Sequence, residues 1–265
     1  MSLKEVIDRG YAKEIYEYAK SHAYADVELL TQALLKSKKL PDRYAVSFGT
    51  DYDDDAYEYP IYEDDELAHY YYVFARDIKG ANIDLLCNAV ANAQDPDSIY
   101  NFAVSIPGAN IQLLAESLDS FYDESIYLFA RDVYGANIQL LEKKMKNAYP
   151  KFIYLFARDI EGANIQFLQD SLIDWAEEGY DDGVKFFEYT CKFASDIEGA
   201  NIGKMISDIK SYINNYYQSN KTYPSEYYIG KLQALAGELE NIKNQIKTDT
   251  TAKILKKTRN DLSQR

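Results

Sequence analysis

An all-α fold is predicted here, of the right-handed α-α superhelical type (a HEAT-like solenoid), with about seven helix-turn-helix units and a C-terminal helical cap. Three observations predict it. A ten-residue string recurs five times, as FARDIKGANI at 74–83, FAVSIPGANI at 102–111, FARDVYGANI at 129–138, FARDIEGANI at 156–165 and FASDIEGANI at 193–202. Its glycines, Gly80, Gly108, Gly135, Gly162 and Gly199, lie 28, 27, 27 and 37 residues apart, a period typical of stacked repeats. On both sides of each glycine, apolar residues recur at helical spacing.

With the glycine as position zero, the preceding helix carries its apolar side chains at −9, −6, −5 and −2, as in Ile126, Phe129, Ala130 and Val133. The following helix carries them at +3, +5, +6 and +10, as in Ile165, Phe167, Leu168 and Leu172. Between the two, glycine supplies the left-handed conformation that closes a helix just past its C-cap. Two residues later Asn82, Asn110, Asn137, Asn164 and Asn201 are structural caps, each placed to accept a hydrogen bond from the first turn of the next helix.

Weaker copies extend the pattern toward the N-terminus. In YEYAKSHAYADVELLTQAL at 16–34, Tyr24 takes the glycine position, Asp26 the cap, and His22 a core-facing slot. YAVSFGTD at 44–51 resembles FAVSIPGAN with one residue deleted, which makes Asp51 a cap. Three rows follow from the register. Arg76–Asp77, Arg131–Asp132 and Arg158–Asp159 are expected to form an ion-pair row from repeat to repeat, with Ser195–Asp196 keeping only the acid. Tyr72, Tyr100, Tyr127 and Tyr154 share position −8, suited to packing between repeats or to a binding face. Asp84, Gln112, Gln139 and Gln166 share position +4 on the polar flank of the second helix.

Residues 51–66, DYDDDAYEYPIYEDDE, interrupt the array with nine acids and four tyrosines. Pro60 and like-charge crowding oppose a helix, so an exposed loop is expected. Its Asp51, Asp53, Asp54, Asp55, Tyr57, Glu58, Tyr59, Tyr62, Glu63, Asp64, Asp65 and Glu66 are the candidate partner-binding residues. The aspartates do not make a calcium loop: the sixth residue is Ala56 where glycine is required, and the twelfth is Tyr62 where a bidentate glutamate is required. No metal site and no cofactor are expected.

After the last repeat, Leu232, Leu235, Leu239, Ile242 and Ile246 step by three and four residues along a helix expected to start near Ser225. Two uses compete for this stripe, covering the open end of the array and homodimerisation. A separate short basic helix is expected over 251–262. The chain thus divides into an acidic repeat region at 1–209, with the loop inserted at 51–66, and C-terminal helices with a basic tail at 210–265.

Charge narrows the function classes. The whole chain has 29 Lys plus Arg against 43 Asp plus Glu. Residues 1–202 carry 18 against 37, and residues 203–265 carry 11 against 6. Phosphate attraction requires the opposite sign, so the acidic body argues against direct nucleic-acid binding. Attraction to a basic protein surface, including that of a nucleic-acid-binding protein, suits it instead. The two histidines, His22 and His69, stand in no catalytic motif, and no phosphate-cradling glycine loop is present, so no enzyme is indicated. Cys87 and Cys191 lack metal or disulfide spacing, which favours a reducing, cytoplasmic setting. No secretory leader and no membrane-length apolar run is apparent.

The FARDIxGANIxxL unit, at 74–86, 129–141 and 156–168, resembles helical-repeat arrays of bacteriophage and low-GC bacterial proteins whose function is mostly unassigned. The resemblance covers roughly residues 16–209, implies the architecture, and carries no catalytic residues. The functional expectation is a non-enzymatic protein that binds a basic partner, in its sharpest form a phage-encoded inhibitor that imitates nucleic acid in the host cytoplasm. The alternative is an assembly component that oligomerises through its C-terminal helices.

Overall fold

A computed structural model describes residues 1–38, 65–178, 183–218 and 226–263. Among these the chain is helical, with an isolated parallel bridge between Tyr11 and Lys38 and no strand. It divides into two compact units, Met1–Asn137 and Ile138–Arg265. The boundary expected at 209 falls inside a helix of the second unit.

The first unit opens with α1 (Leu3–Arg9), then runs through α2 (Ala12–Ser21), α3 (Val27–Leu35), α4 (Asp65–Asp77), α5 (Ile83–Ala93), α6 (Pro96–Ser105), α7 (Ile111–Ser117) and α8 (Asp123–Asp132). Each helix of a pair packs on its counterpart two places along, α2 on α4, α4 on α6, α6 on α8, α3 on α5 and α5 on α7. The pair α2–α3 therefore neighbours α4–α5 directly. The unit expected around Asp51 lies outside the described residues, as does most of the acidic segment. Asp65 and Glu66, expected in the loop, instead open α4, where acids favour the positive end of the helix dipole.

The second unit contains α9 (Ile138–Lys144), a 3₁₀ turn at Met145–Asn147, α10 (Pro150–Asp159), α11 (Ile165–Glu178), α12 (Gly183–Asp196), α13 (Ile202–Gln218) and α14 (Glu226–Ser263). Here α10 packs on α12, α11 on α13, and α14 on both α12 and α13. The separate basic helix expected at 251–262 is the continuation of α14. Between Glu238 and Ser263 the chain contains no glycine or proline to stop it. Thr248, Thr250 and Thr251 return their hydroxyls to carbonyls four residues back rather than breaking the helix.

The −6 phenylalanines form the spine of each core. Phe74, Phe102 and Phe129 in the first unit, and Phe156 and Phe193 in the second, are all fully buried. Burial of each contributes on the order of 2–3 kcal/mol relative to exposure. Ile126, Leu168 and Leu172, from the apolar stripes, are fully buried as well.

The turn between paired helices is tighter than helix-closing geometry alone. In α6, α8 and α10 the C-cap is position −2 (Ile106, Val133, Ile160), extended, with its amide on the carbonyl of the −6 phenylalanine. The glycine therefore sits two residues beyond the cap rather than next to it. Its φ is 80–90° in all five copies. The alanine after it donates to the carbonyl at −2, at 3.1–3.3 Å. Glycine is thus the third residue of a four-residue turn, the place where a type II turn requires positive φ, and Pro107 occupies the second place that such turns favour. At Tyr24 the same hydrogen bond recurs from Ala25 to His22, at 2.9 Å, without positive φ.

Candidate functional site

The turn asparagines sit at helix starts. The side-chain oxygens of Asn82, Asn110, Asn164 and Asn201 accept from the amides of Leu85, Leu113, Phe167 and Lys204 at 3.0–3.2 Å. Asp26 accepts from Leu29 in the same way. Asn137 donates its amide to the Gln112 side chain of the preceding helix pair. These hydrogen bonds occupy the asparagines within the fold.

A second device at these turns is absent from the sequence reading. Position +7 of one helix reaches the turn of the next pair. Buried Glu142 accepts the backbone N–H of Asn164 at 2.8 Å, and fully buried Gln169 accepts that of Asn201 at 2.7 Å. In the first unit Cys87 takes this position with its thiol toward the Asn110 carbonyl, and burial raises that thiol's pKa. The signal was present in the sequence: polar Glu142 and Gln169 share a slot with Cys87 and Ala115.

The Arg–Asp row differs from expectation. Arg76, Arg131 and Arg158 each grip the aspartate that follows them, at 2.6–2.7 Å. Adjacent side chains at a helix end reach each other without spanning repeats. Contact between repeats is made by tyrosine, joined at Asp77 by Lys20 at 3.2 Å. Tyr16 donates to Asp77 at 2.5 Å, Tyr100 to Asp132 at 2.8 Å and Tyr154 to Asp196 at 2.8 Å. In these three cases a −8 tyrosine meets the −3 aspartate of the next pair. The guanidiniums of Arg76, Arg131 and Arg158 also lie 5.2–5.4 Å from the rings of Tyr72, Tyr127 and Tyr154. Arg76 holds the carboxyl of Asp77 well below the usual carboxylate range, and Arg131 lowers that of Asp132. The Ser195 hydroxyl, then Tyr154, does the same for Asp196. These arginines are neutralised inside the fold and are poor candidates for gripping an anion.

His22 is a correction: it is exposed at the −2 C-cap position where Ile106, Val133 and Ile160 are buried, its polar ring turned back over α2 with Nδ1 3.0 Å from the Tyr18 carbonyl oxygen. Its ring stacks on Tyr18 at 3.9 Å. His69 is exposed beside Tyr70. Among the described residues no group of three His, Cys, Asp or Glu side chains is placed to hold a metal ion.

Of the candidate partner-binding residues, Asp51, Asp53, Asp54, Asp55, Tyr57, Glu58, Tyr59, Tyr62, Glu63 and Asp64 lie outside the described residues. A different acidic surface is visible in the first unit. It lies where the connections into α6 and α8 come together. Asp95 caps α6 through the Ser98 amide, and Asp97 and Glu124 stand in the first turns of α6 and α8. Neighbouring chain strips water from Asp97 even though it reaches the surface. That desolvation, with repulsion from Asp95 and Glu124, raises its carboxyl pKa. In the connection leading into α8, Asp119 accepts the amide of Phe121, a residue 86% exposed. An exposed phenylalanine with Asp119 and Glu124 close in sequence suits an anchor within a charged rim.

The C-terminal stripe is used inside its own unit. Leu232, Leu235 and Leu239 are buried on α12 and α13, Ile242 is half-buried and Ile246 is 42% exposed. A cleft of about 440 Å³ opens there between Gly199–Gly203 and Lys243, Ile246 and Lys247. In the first unit a shallow groove of about 390 Å³ is lined by Leu35, Leu67, Tyr71, Leu85 and Ala89. Neither gathers an acid, base and nucleophile. Among the described residues no helix is long and apolar enough to cross a membrane. No family model, curated protein or solved structure matches the chain.

Proposed function

We propose that this chain is a non-enzymatic interaction protein, an acidic helical-repeat solenoid that docks on a basic surface of a partner protein. The observation that carries the reading is the edge formed by Asp95, Asp97, Asp119, Phe121 and Glu124. Its carboxylates crowd one another, while the arginines of the tyrosine row are already paired. Carboxylates steer a basic partner toward the edge, and Phe121 supplies apolar area at contact. The finer form, in which the partner is a nucleic-acid-binding protein and a viral inhibitor takes the place of phosphates, rests on the nine acids of 51–66 in the sequence.

Affinity capture followed by binding measurements with the purified partner tests this. Phe121→Ala is expected to weaken binding about tenfold, as a central anchor does. Neutralising Asp51, Asp53, Asp54 and Asp55 to asparagine is expected to remove much of the salt-sensitive part. Affinity unchanged by both variants would refute the proposal. Assembly through the apolar stripe is less favoured, since Leu232, Leu235 and Leu239 are covered within the chain.

A further inference from the structure

Among the described side chains, the far half of α14 as far as Lys253 meets no packing surface. At 38 residues α14 is about 57 Å long. Among the described residues its buried side chains end at Leu239; Ile242 and Lys243 are partly covered, and every residue from Asn244 to Lys253 is exposed. That exposed stretch, NQIKTDTTAK, contains three threonines, an asparagine and an aspartate, weak helix formers that do not hold a helix by propensity alone. In proteins such a helix is stabilised mainly by docking one face.

From Lys243 onward the sequence has seven basic residues, Lys243, Lys247, Lys253, Lys256, Lys257, Arg259 and Arg265, against Asp249 and Asp261. Among the described residues Lys243, Lys247 and Lys253 enter no ion pair. The stretch Thr248–Thr251 is polar throughout, unlike the apolar face that seats a helix in a lipid surface. The acidic remainder opposes a nucleic-acid ligand.

We propose that the projecting half of α14 docks on the acidic surface of a second copy of this chain. Charge complementarity selects that occupant: residues 1–202 carry 18 basic against 37 acidic side chains, and the arm carries the reverse balance. A continuous helix does not turn back on the α12 and α13 surface it has just left, so that surface does not seat the arm. This association is tested on the purified chain alone, without the basic partner, so its failure leaves the partner-binding reading standing.

The experiment is sedimentation velocity of the full chain over about two decades of concentration, at about 50 mM and about 500 mM salt. The expected result is reversible self-association at low salt, weakened about tenfold or more by high salt. Reversing charge with Lys243→Glu, Lys247→Glu and Lys253→Glu is expected to weaken it similarly, with helical circular dichroism unchanged because Lys247 and Lys253 are exposed and Lys243 is only partly covered. A monomer at every concentration in low salt overturns the proposal. So does association that ignores salt. Binding of a duplex oligonucleotide through the same lysines by a chain that stays monomeric also overturns it, and would assign the arm to polyanions.

Discussion

Tyr100 and Asp132 give the clearest energetic test of how successive helix pairs are joined. The tyrosine hydroxyl on α6 donates to the carboxylate at the end of α8 at 2.8 Å, 32 residues away in sequence. Hydrogen bonds to a charged partner contribute about 1.5–3 kcal/mol. Two features place this one at or below the low end: the Asp132 side chain keeps 28% of its exposure, and it remains paired with Arg131 when the hydroxyl is removed. Tyr100→Phe is therefore expected to cost about 1 kcal/mol. In a double-mutant cycle with Asp132→Ala, followed by urea unfolding, the coupling is expected near 1 kcal/mol at neutral pH. It should vanish where Asp132 is protonated. A coupling below about 0.3 kcal/mol, the level at which separate sites simply add, would refute the role assigned to this row.

Three further outcomes follow from the same geometry. Gly162→Ala is expected to destabilise by about 1–2 kcal/mol, because φ there is 82° although space is open, whereas Gly230→Ala in α14 is expected to stabilise by about 0.5–1 kcal/mol; thermal unfolding with matching signs for both would contradict the turn assignment. Asp77, Asp132 and Asp196 have lowered pKa values in the fold, so their stabilisation is fully present above the unfolded aspartate value of about 3.9 and is lost as pH falls below it. Asp97 has the opposite shift, so Asp97→Asn should raise the urea midpoint at pH 7, while Asp77→Asn lowers it and flattens the acid limb. Thr190 occupies the −9 position that three other repeats give to isoleucine (Ile99, Ile126 and Ile153), is fully buried, and its hydroxyl has no protein partner. Thr190→Val should stabilise by about 1 kcal/mol on calorimetry, and a loss would show that the hydroxyl is satisfied.

The parts of this molecule that were legible in its sequence are those fixed by local chemistry. Glycine, alanine and asparagine at fixed offsets announce a turn and a helix start, and the −6 phenylalanines announce the buried face. The glycine's position within the turn was not legible, since closing a helix and turning a corner both ask for positive φ. The Arg–Asp pairs were assigned across repeats when their nearest acid was the next residue. His22 shares the −2 position with buried Ile106, Val133 and Ile160, and its register alone does not tell that its polar ring turns back onto Tyr18. The +7 carboxylate and amide resembled ordinary polar side chains, and only three-dimensional packing brings them onto the next turn. The acidic edge was missed for a related reason: Asp95, Asp97, Asp119 and Glu124 are scattered through two connections, whereas the nine acids of 51–66 stand together.

Salt dependence of the purified complex is the measurement that bears most directly on an acidic surface seeking a basic partner. If carboxylates steer the encounter, the association rate should fall at least about tenfold between about 50 mM and about 500 mM salt, while the dissociation rate changes little. Rates that stay constant across that range would contradict the account.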